Sequence, residues 1–440
     1  MIAHSRKPGP RPRRSGSLGG ASLAGGDAPG LPARLRVWLA VMCGRLVAAC
    51  HRRTGRAGAG TVAGRIVLRL APGALRVLTV PLEVVLVSGT NGKTTTTRFV
   101  AETLRQAGAV ASNETGANMP GGIVTALARA GRAGFGAFEV DERYLPALCA
   151  QVAPRAIVLL NLSRDQLDRN PETVLLAQAW RDALRGGHAR VVVANCDDPL
   201  VCWAASAAAR VFWVSTGAGW PHDSWSCPAC GGPLERPSAR HWSCQSCGLA
   251  RPAPHWELKE RSIVSARTGR TYDLRLRIPG EINYANAAMA VAAGAALGVP
   301  PPEAARSLTR VRSVAGRYQV AEVHGRRIRL LLAKNPASWT EVLEILRWSP
   351  GALLMLNARA LDGHDTSWIW DVDFRRLAGV PVFVTGARRL DLALRLHVAD
   401  VRHDVVASLR EACERAPEGR LDVVANYTAF LDVLREVRRP

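Results

Sequence analysis

Lysine is nearly absent from this sequence. Four residues (Lys7, Lys93, Lys259 and Lys334) are all that lysine contributes to 58 lysines and arginines, so arginine carries almost the whole formal net charge of +22. Arginine, alanine and glycine also fill stretches without periodicity, which points to a compositional bias rather than to one basic face. The charge is therefore weak support for an anionic substrate or membrane surface, and weaker support for nucleic acid. Aromatics are scarce at 5%, which removes most of the stacking platform that a single-strand binder needs. Long apolar runs are missing as well. The best candidate, Val37 to Cys50, is shorter than the roughly 20 residues of a membrane span and carries Arg45. No apolar segment with a cleavage site follows the basic residues Arg6, Lys7, Arg11, Arg13 and Arg14, so no secretory signal is expected. Disulfide spacing is lacking too. Of ten cysteines, four form two Cys-x-x-Cys pairs, and Cys43, Cys50, Cys149, Cys196, Cys202 and Cys413 are scattered. That usage suits a reducing cytoplasm and one metal site.

What is present is ample core material: 440 residues that are 48% hydrophobic, with mean hydropathy near zero. That length implies two or three domains. Residues 1–33, rich in Pro, Gly, Ser and Arg, read as a disordered basic tail. Residues 34–80 read as N-terminal helices, the first of them amphipathic from Leu35 to Cys50. From residue 81 short apolar strands alternate with helices, near 82–87, 136–140, 156–160 and 190–194, which predicts a parallel, doubly wound sheet. A cysteine-rich insertion spans about 222–252, and a run near 271–278 reads as a strand. A second alternating unit is expected over 318–440, with strands near 329–332, 353–356, 380–384 and 422–425. The expected fold is α/β throughout, with a boundary at residues 317/318.

The run Val87-Ser-Gly-Thr-Asn-Gly-Lys-Thr-Thr-Thr96 lies between a strand and a helix. Gly89 and Gly92 let the backbone curl so that successive N–H groups face phosphate oxygens at the positive end of a helix. Lys93 supplies a point charge for the β- and γ-phosphates, and the Thr94 hydroxyl is a ligand for Mg²⁺. A tight turn of small residues would explain the glycines but not why one of four lysines falls here. The signal is strong for nucleotide binding and silent about the reaction.

Several spaced motifs resemble the Mur ligase family, whose members join amine nucleophiles to carboxylates through an acyl phosphate. Gly89-Thr-Asn-Gly-Lys-Thr94, with Thr95 after it, matches that family's ATP loop. Glu139 matches its magnesium-holding glutamate, and a carboxylate beside phosphates suits a hard cation. Asn161-Leu-Ser-Arg-Asp-Gln-Leu-Asp168 resembles a strand-end motif, with Gln166 where histidine is usual, and Asn195-Cys-Asp-Asp-Pro199 resembles a family turn. Asn283 and Asn286 match a pair whose second member reads adenine. Arg317, after Gly316, matches the arginine that approaches the phosphates from the domain junction. The resemblance implies a central ATPase domain over 81–317 and a smaller Rossmann-like domain over 318–440.

The C-terminal third departs from amino-acid-adding members. Ala333-Lys-Asn-Pro336 stands where those enzymes have an Asp-x-Ala-His-Asn-Pro segment. Asp362-Gly-His-Asp-Thr-Ser-Trp-Ile-Trp-Asp-Val-Asp-Phe374 and Ala425-Asn-Tyr-Thr428 look instead like the amidating, MurT branch. That branch implies a heterodimer with a GatD-type glutamine amidotransferase. It also implies conversion of the D-glutamate α-carboxylate of the lipid II stem peptide to D-isoglutamine, a step of peptidoglycan synthesis. The working place would be the cytoplasm, peripheral to the inner membrane face. Asp365 matches the aspartate that reaches into the partner's active site and orients its catalytic histidine; Asp362 competes for that role, and Asp371 and Asp373 read as ordinary loop acids.

Cys227-Pro-Ala-Cys230 and Cys244-Gln-Ser-Cys247 are thirteen residues apart, each followed by glycine. Two such knuckles predict a zinc ribbon with four thiolate ligands and no need of His241. An iron–sulfur centre and redox-active pairs are the alternatives. The ribbon resembles an insertion of the MurT branch and so reads as structural. Two rival functions stand beside the amidating ligase: a stand-alone ligase that adds an amino acid, as in folylpolyglutamate synthesis, and a zinc-ribbon ATPase that binds nucleic acid.

Overall fold

A computed structural model describes residues 30–53, 59–113, 116–164, 172–217, 223–238, 240–314 and 318–437. The expected tail up to residue 29, Gln166 and Arg317 lie outside the described residues.

In chain order the first strands are β1 (Glu83–Ser88), β2 (Val110–Ser112), β3 (Phe135–Glu139), β4 (Ala156–Leu159), β5 (Val191–Asn195) and β6 (Val211–Ser215). A hairpin follows, β7 (Leu234–Ser238) and β8 (His241–Cys244), then β9 (Trp256–Lys259), β10 (Ser262–Ser265) and β11 (Thr271–Asp273). All but the hairpin join one nine-stranded sheet, ordered β11-β10-β9-β6-β5-β4-β1-β3-β2 and antiparallel only at the β9–β11 edge. Its centre reads as unbroken Val, Leu and Ile because both faces are covered. Val84 and Leu86 pack on one side, under helices that include Pro120–Arg129 and Thr173–Arg185. Val85 and Val87 pack on the other, under Lys93–Leu104 and Ile282–Ala296.

The second sheet consists of β12 (Tyr318–Val323), β13 (Arg326–Leu332), β14 (Ala352–Met355), β15 (Val382–Thr385), β16 (His403–Val405) and β17 (Leu421–Ala425). Its order is β12-β13-β17-β14-β15-β16, parallel except for the β12–β13 hairpin. Helices Pro336–Leu346 and Arg389–Val398 cover one face, Leu409–Arg415 and Tyr427–Val437 the other. Asn335 starts the first of these helices: its side chain accepts from Ser338 N while the Ser338 hydroxyl accepts from Asn335 N, ahead of Pro336 at the first helical position.

The leading helix runs Leu31–Arg53 and takes in the last three residues of the stretch assigned to the tail. Pro32 is tolerated there, since a first-turn N–H has no intrahelical partner to lose. The strand expected over 271–278 stops at Asp273. Helix Ala74–Thr79 and strands β2, β6, β9, β10, β12 and β16 were not anticipated from the sequence.

Candidate active site

Strand β1 lies between β3 and β4, so the loop leaving its C-terminal end opens into a crevice bounded by the ends of both neighbours. In a doubly wound sheet that is where ligands are received. Gly89 and Gly92 have φ of 146° and 81°. A Cβ on Gly89 would lie 2.8 Å from Leu160 Cβ, and one on Gly92 2.4 Å from Asn286 Oδ1, so conformation and space both demand glycine. The segment leaving β4 clamps the loop between them. Thr90 N donates to Asn161 O at 2.9 Å, Asn91 N donates to Asn161 Oδ1 at 2.9 Å, and Ser163 N donates to Thr90 Oγ1 at 3.0 Å.

Lys93 opens the helix and is only 3% exposed. Its Nζ donates to Gly89 O at 2.5 Å and Thr90 O at 3.2 Å and pairs with Glu142 at 3.1 Å, so the ammonium lies folded over the loop. Thr94 and Thr95 are buried beside it. Thr96 Oγ1 donates to Asn286 Oδ1 at 3.2 Å, and Asn286 Nδ2 donates to Asn283 Oδ1 at 3.3 Å. Asn286 therefore braces the loop from helix Ile282–Ala296, which lies beside Lys93–Leu104 on the same face of the sheet. Asn283 and Asn286 both line a small pocket of about 90 Å³ beside Gly92 and Thr95.

Glu139 ends β3 and is 2% exposed. Asn113 holds its backbone on both sides, accepting from Glu139 N at 2.8 Å and donating to Glu139 O at 2.9 Å. Asn118 Nδ2 reaches Glu139 Oε1 at 3.4 Å, but the buried Oε2 has no hydrogen-bond partner among the described residues. A buried carboxylate oxygen without a donor is costly unless a cation meets it. Gly116 marks the place: a Cβ there would sit 3.9 Å from Thr94 Oγ1 and 4.0 Å from Glu139 Oε2. Two oxygens facing one small space suit Mg²⁺.

The Asn195–Pro199 segment is architectural. Asp198 Oδ1 accepts from Leu200 N and Val201 N, capping helix Pro199–Ala205, and Oδ2 accepts from Leu162 N at 2.8 Å. Burial pushes its carboxyl up to about 6, against the pull of those N–H groups. Asp197 is tied to Thr216 N at 2.7 Å, Gly217 N at 2.8 Å and Arg251 at 2.9 Å. Between the two sheets lies a cleft of about 790 Å³, lined by Asn161, Ser163 and Asp198 on one side and Thr340, Glu344 and Trp348 on the other. Asn335 Nδ2 crosses to Asn91 Oδ1 at 3.2 Å and joins the second sheet to the loop. Sequence reasoning missed Glu142, Asn113, Asn118 and Asn335. Only Asn335 carried a local signal, an asparagine before proline at the start of a helix.

The four Sγ atoms of Cys227, Cys230, Cys244 and Cys247 lie within 4.8 Å of one another. The pairs Cys227–Cys247 and Cys230–Cys244 are 3.6 and 3.5 Å apart, close to the roughly 3.8 Å edge of a tetrahedron with Zn–S bonds of about 2.3 Å. The β7–β8 hairpin between the two Cys-x-x-Cys turns sits against the end of β5: Trp242 Nε1 donates to Cys196 O at 3.1 Å. Burial pushes the Cys196 and Cys149 thiols up to about 12, so both act as small apolar side chains.

Asp362 and Asp365 part company in the loop after β14. Asp362 accepts from Thr428 N at 2.8 Å, from the Thr428 hydroxyl and from Arg359 N at 3.1 Å. Asp365 is exposed and, among the described residues, bonded only to Ser367, accepting from its N at 2.8 Å and its Oγ at 3.0 Å. That N–H and hydroxyl hold its carboxyl below the usual range, so it is ionised at neutral pH. Asp371 pairs with Arg164 and Asp373 with Arg375, as loop acids do.

Comparison with known proteins agrees with this geometry. Residues 87–225 match the Mur ligase middle domain, and residues 332–430 match the MurT ligase C-terminal domain. Subunit MurT of the glutamine-hydrolysing lipid II isoglutaminyl synthase from Streptococcus pneumoniae is 28% identical, over 90% of this chain and 96% of that protein. Its counterpart from Staphylococcus aureus strain N315 is also 28% identical, over 92% and 98%. In fold, the chain is similar to a pseudomurein peptide ligase type C from Methanothermus fervidus, with a TM-score of 0.62 at 15% identity over 85% of this chain and 84% of that one. With a Mur-type centre and a MurT-type C-terminal domain on one chain of matching length, the protein belongs to the Mur ligase family, in its MurT branch.

Proposed function

We propose that this chain is the ATP-using subunit of a carbon–nitrogen ligase that amidates the D-glutamate α-carboxylate of the lipid II stem peptide, giving D-isoglutamine. The acceptor and the glutamine donor are taken from the names of the relatives, which describe a glutamine-hydrolysing lipid II isoglutaminyl synthase. A carboxylate resists amines because its leaving group would be oxide. Transfer of the γ-phosphoryl group of ATP to the carboxylate oxygen makes an acyl phosphate. Ammonia then attacks the acyl carbon, the C–O bond breaks, and phosphate departs with the surplus proton.

Gly89, Thr90, Asn91, Gly92, Thr94 and Thr95 would cradle the phosphates. Lys93 would exchange its loop carbonyls for phosphate oxygens and offset charge as the phosphoryl group moves. Thr94 and Glu139 would hold Mg²⁺, which supplies further positive charge at that point. Asn286 would brace the adenosine side, and Arg317 keeps the role implied by its motif. The cleft between the sheets has the size for a stem-peptide terminus. Four thiolates at tetrahedral spacing support structural Zn²⁺ in the ribbon.

Ammonia would come from a GatD-type glutaminase in a heterodimer. The observation that carries this reading is the outward, ionised Asp365 on a domain of MurT type. A catalytic Cys–His pair needs an acceptor to fix its imidazole, and a carboxylate with no tie beyond Ser367 among the described residues is free to serve one in another chain. The work would be done in the cytoplasm at the inner membrane face; among the described residues no helix is long and apolar enough to cross a membrane. The test is to co-purify the chain with the glutaminase of its own genome and assay ATP, glutamine and lipid II together. Amidation that requires both subunits is expected. Consumption of a free amino acid with glutamine untouched would favour the stand-alone ligase, and DNA-stimulated ATP hydrolysis the nucleic-acid ATPase.

A further inference from the structure

Helix Leu31–Arg53 buries one face and leaves another apolar face bare. Val37, Ala40, Val41 and Ala48 are buried against helix Ala59–Leu70. That second helix is fixed to the body at a close crossing, where a Cβ on Gly64 would lie 1.7 Å from Gly121 O. On the outward side stand Leu31, Leu35, Trp38, Leu39, Met42 and Leu46, between 38% and 81% exposed. Their spacing of three and four residues draws one stripe along more than four turns. A surface helix ordinarily turns polar residues that way. Single exposed apolar residues need no explanation, but a continuous row of six does.

The charge around the stripe says what kind of surface it fits. Residues 30–82 contain nine arginines and no aspartate or glutamate. Arg34 and Arg45 fall along one edge of the stripe and Arg36 along the other. Arg36 Nε donates to Leu70 O at 2.8 Å and Arg45 to Ala128 O, so both side chains are held in place with no acid paired to them among the described residues. A second copy of the same face would bring arginine against arginine, which disfavours self-association. The molecule offers its own contrast. Leu390, Leu394 and Val398 form another exposed row on helix Arg389–Val398, but Asp391 pairs with Arg388 beside it and the charges are mixed, as at a protein contact.

An apolar stripe with a tryptophan, edged by arginine and free of acids, is the pattern of a helix that lies in the plane of an anionic bilayer. We propose that helix Leu31–Arg53 docks the protein on anionic phospholipid, with the six apolar side chains in the headgroup–acyl boundary and the arginines among the phosphates. Preferring a bilayer to a protein partner rests partly on the lipid-linked acceptor proposed above; the chemistry of the stripe does not.

The experiment uses the full chain with its partner subunit and vesicles that contain no acceptor lipid, made either of phosphatidylglycerol with phosphatidylcholine or of phosphatidylcholine alone. Co-sedimentation should show binding to the anionic vesicles, about tenfold or more weaker on neutral ones or at high salt. Leu35→Ser, Trp38→Ser and Leu46→Ser combined should weaken that binding by about tenfold or more, with an unchanged Tm, since none of the three contributes to the core. No binding by the wild type, or equal binding by the triple variant, overturns the proposal. So does a dimer that the triple variant dissociates while the vesicles are ignored. Amidation of a soluble stem-peptide acceptor is assayed alongside. Vesicle binding without amidation would count against the ligase reading alone, and amidation without vesicle binding against the docking alone.

Discussion

The segment after β1 and the segment after β14 occupy equivalent places at the C-terminal ends of two mainly parallel sheets, yet one is closed over by its own protein and the other is open. From Ser88 to Thr97 every residue but Gly92 is buried, and the polar atoms of Thr90, Asn91 and Lys93 are tied to the segment leaving β4, Glu142 and the loop itself. From Arg359 to Asp371 most side chains are exposed, Leu361 and Trp370 among them, and among the described residues Asp365 answers only to Ser367. A site that moves a phosphoryl group gains from fixed dipoles in a dry setting, because water would have to be reorganised at the moment of reaction. A group that must serve another chain cannot be buried in its own. On the proposed function, equivalent positions in one architecture would divide between chemistry done inside the chain and chemistry assisted outside it.

Lys93→Ala should break the first half most severely. ATP-dependent amidation should fall by about a thousandfold, the scale of losing a preorganised charge, while the partner still co-elutes on size exclusion. Near-normal turnover would remove Lys93 from the mechanism. Asp365→Asn should break the second half. The partner's glutaminase kcat in the complex should drop by about a hundredfold with its pH profile altered, and Tm should not move. An unaltered rate would shift the role to another acid. Cys230→Ser should then separate either site from the scaffold that supports it: bound zinc measured by metal analysis should be lost, and Tm should fall as the ribbon loosens from β5. A zinc-free variant of normal Tm would show that the ribbon contributes nothing to stability.

The division also explains what was legible in the sequence. Central strands such as β1, β4 and β5 stand out because burial on both faces keeps the middle of each apolar, with polar residues only at the ends. Edge strands β2, β12 and β16 are short or carry polar residues and leave almost no trace. Lys93 was visible because lysine is rare here and the position follows a strand. Its counter-ion was not, since Glu142 lies 49 residues away. Asn113 holds Glu139 across 26 residues and Asn335 reaches Asn91 across 244, distances that only the fold makes short. Asp362 competes with Asp365 in the sequence for the same reason. What separates them is Thr428, beyond the reach of any local pattern.

The smallest effect is expected where the two carboxylates are most easily confused. Asp362 holds Thr428 N, the Thr428 hydroxyl and Arg359 N, so it fastens the start of helix Tyr427–Val437 to the loop after β14. Asn in its place keeps one acceptor oxygen but turns an NH₂ group toward donors that the second oxygen satisfied. Leaving such groups unpaired costs about 1–3 kcal/mol, which lowers the Tm of the C-terminal domain by several degrees. Assayed well below that Tm, Asp362→Asn should leave the partner's glutaminase near its normal rate. Asp365→Asn should give the mirror image, with stability kept and the rate lost. If thermal denaturation and glutaminase assays returned the reverse pairing, Asp362 would be the residue that serves the partner, and the open segment after β14 would have to rearrange on binding to free it from Thr428.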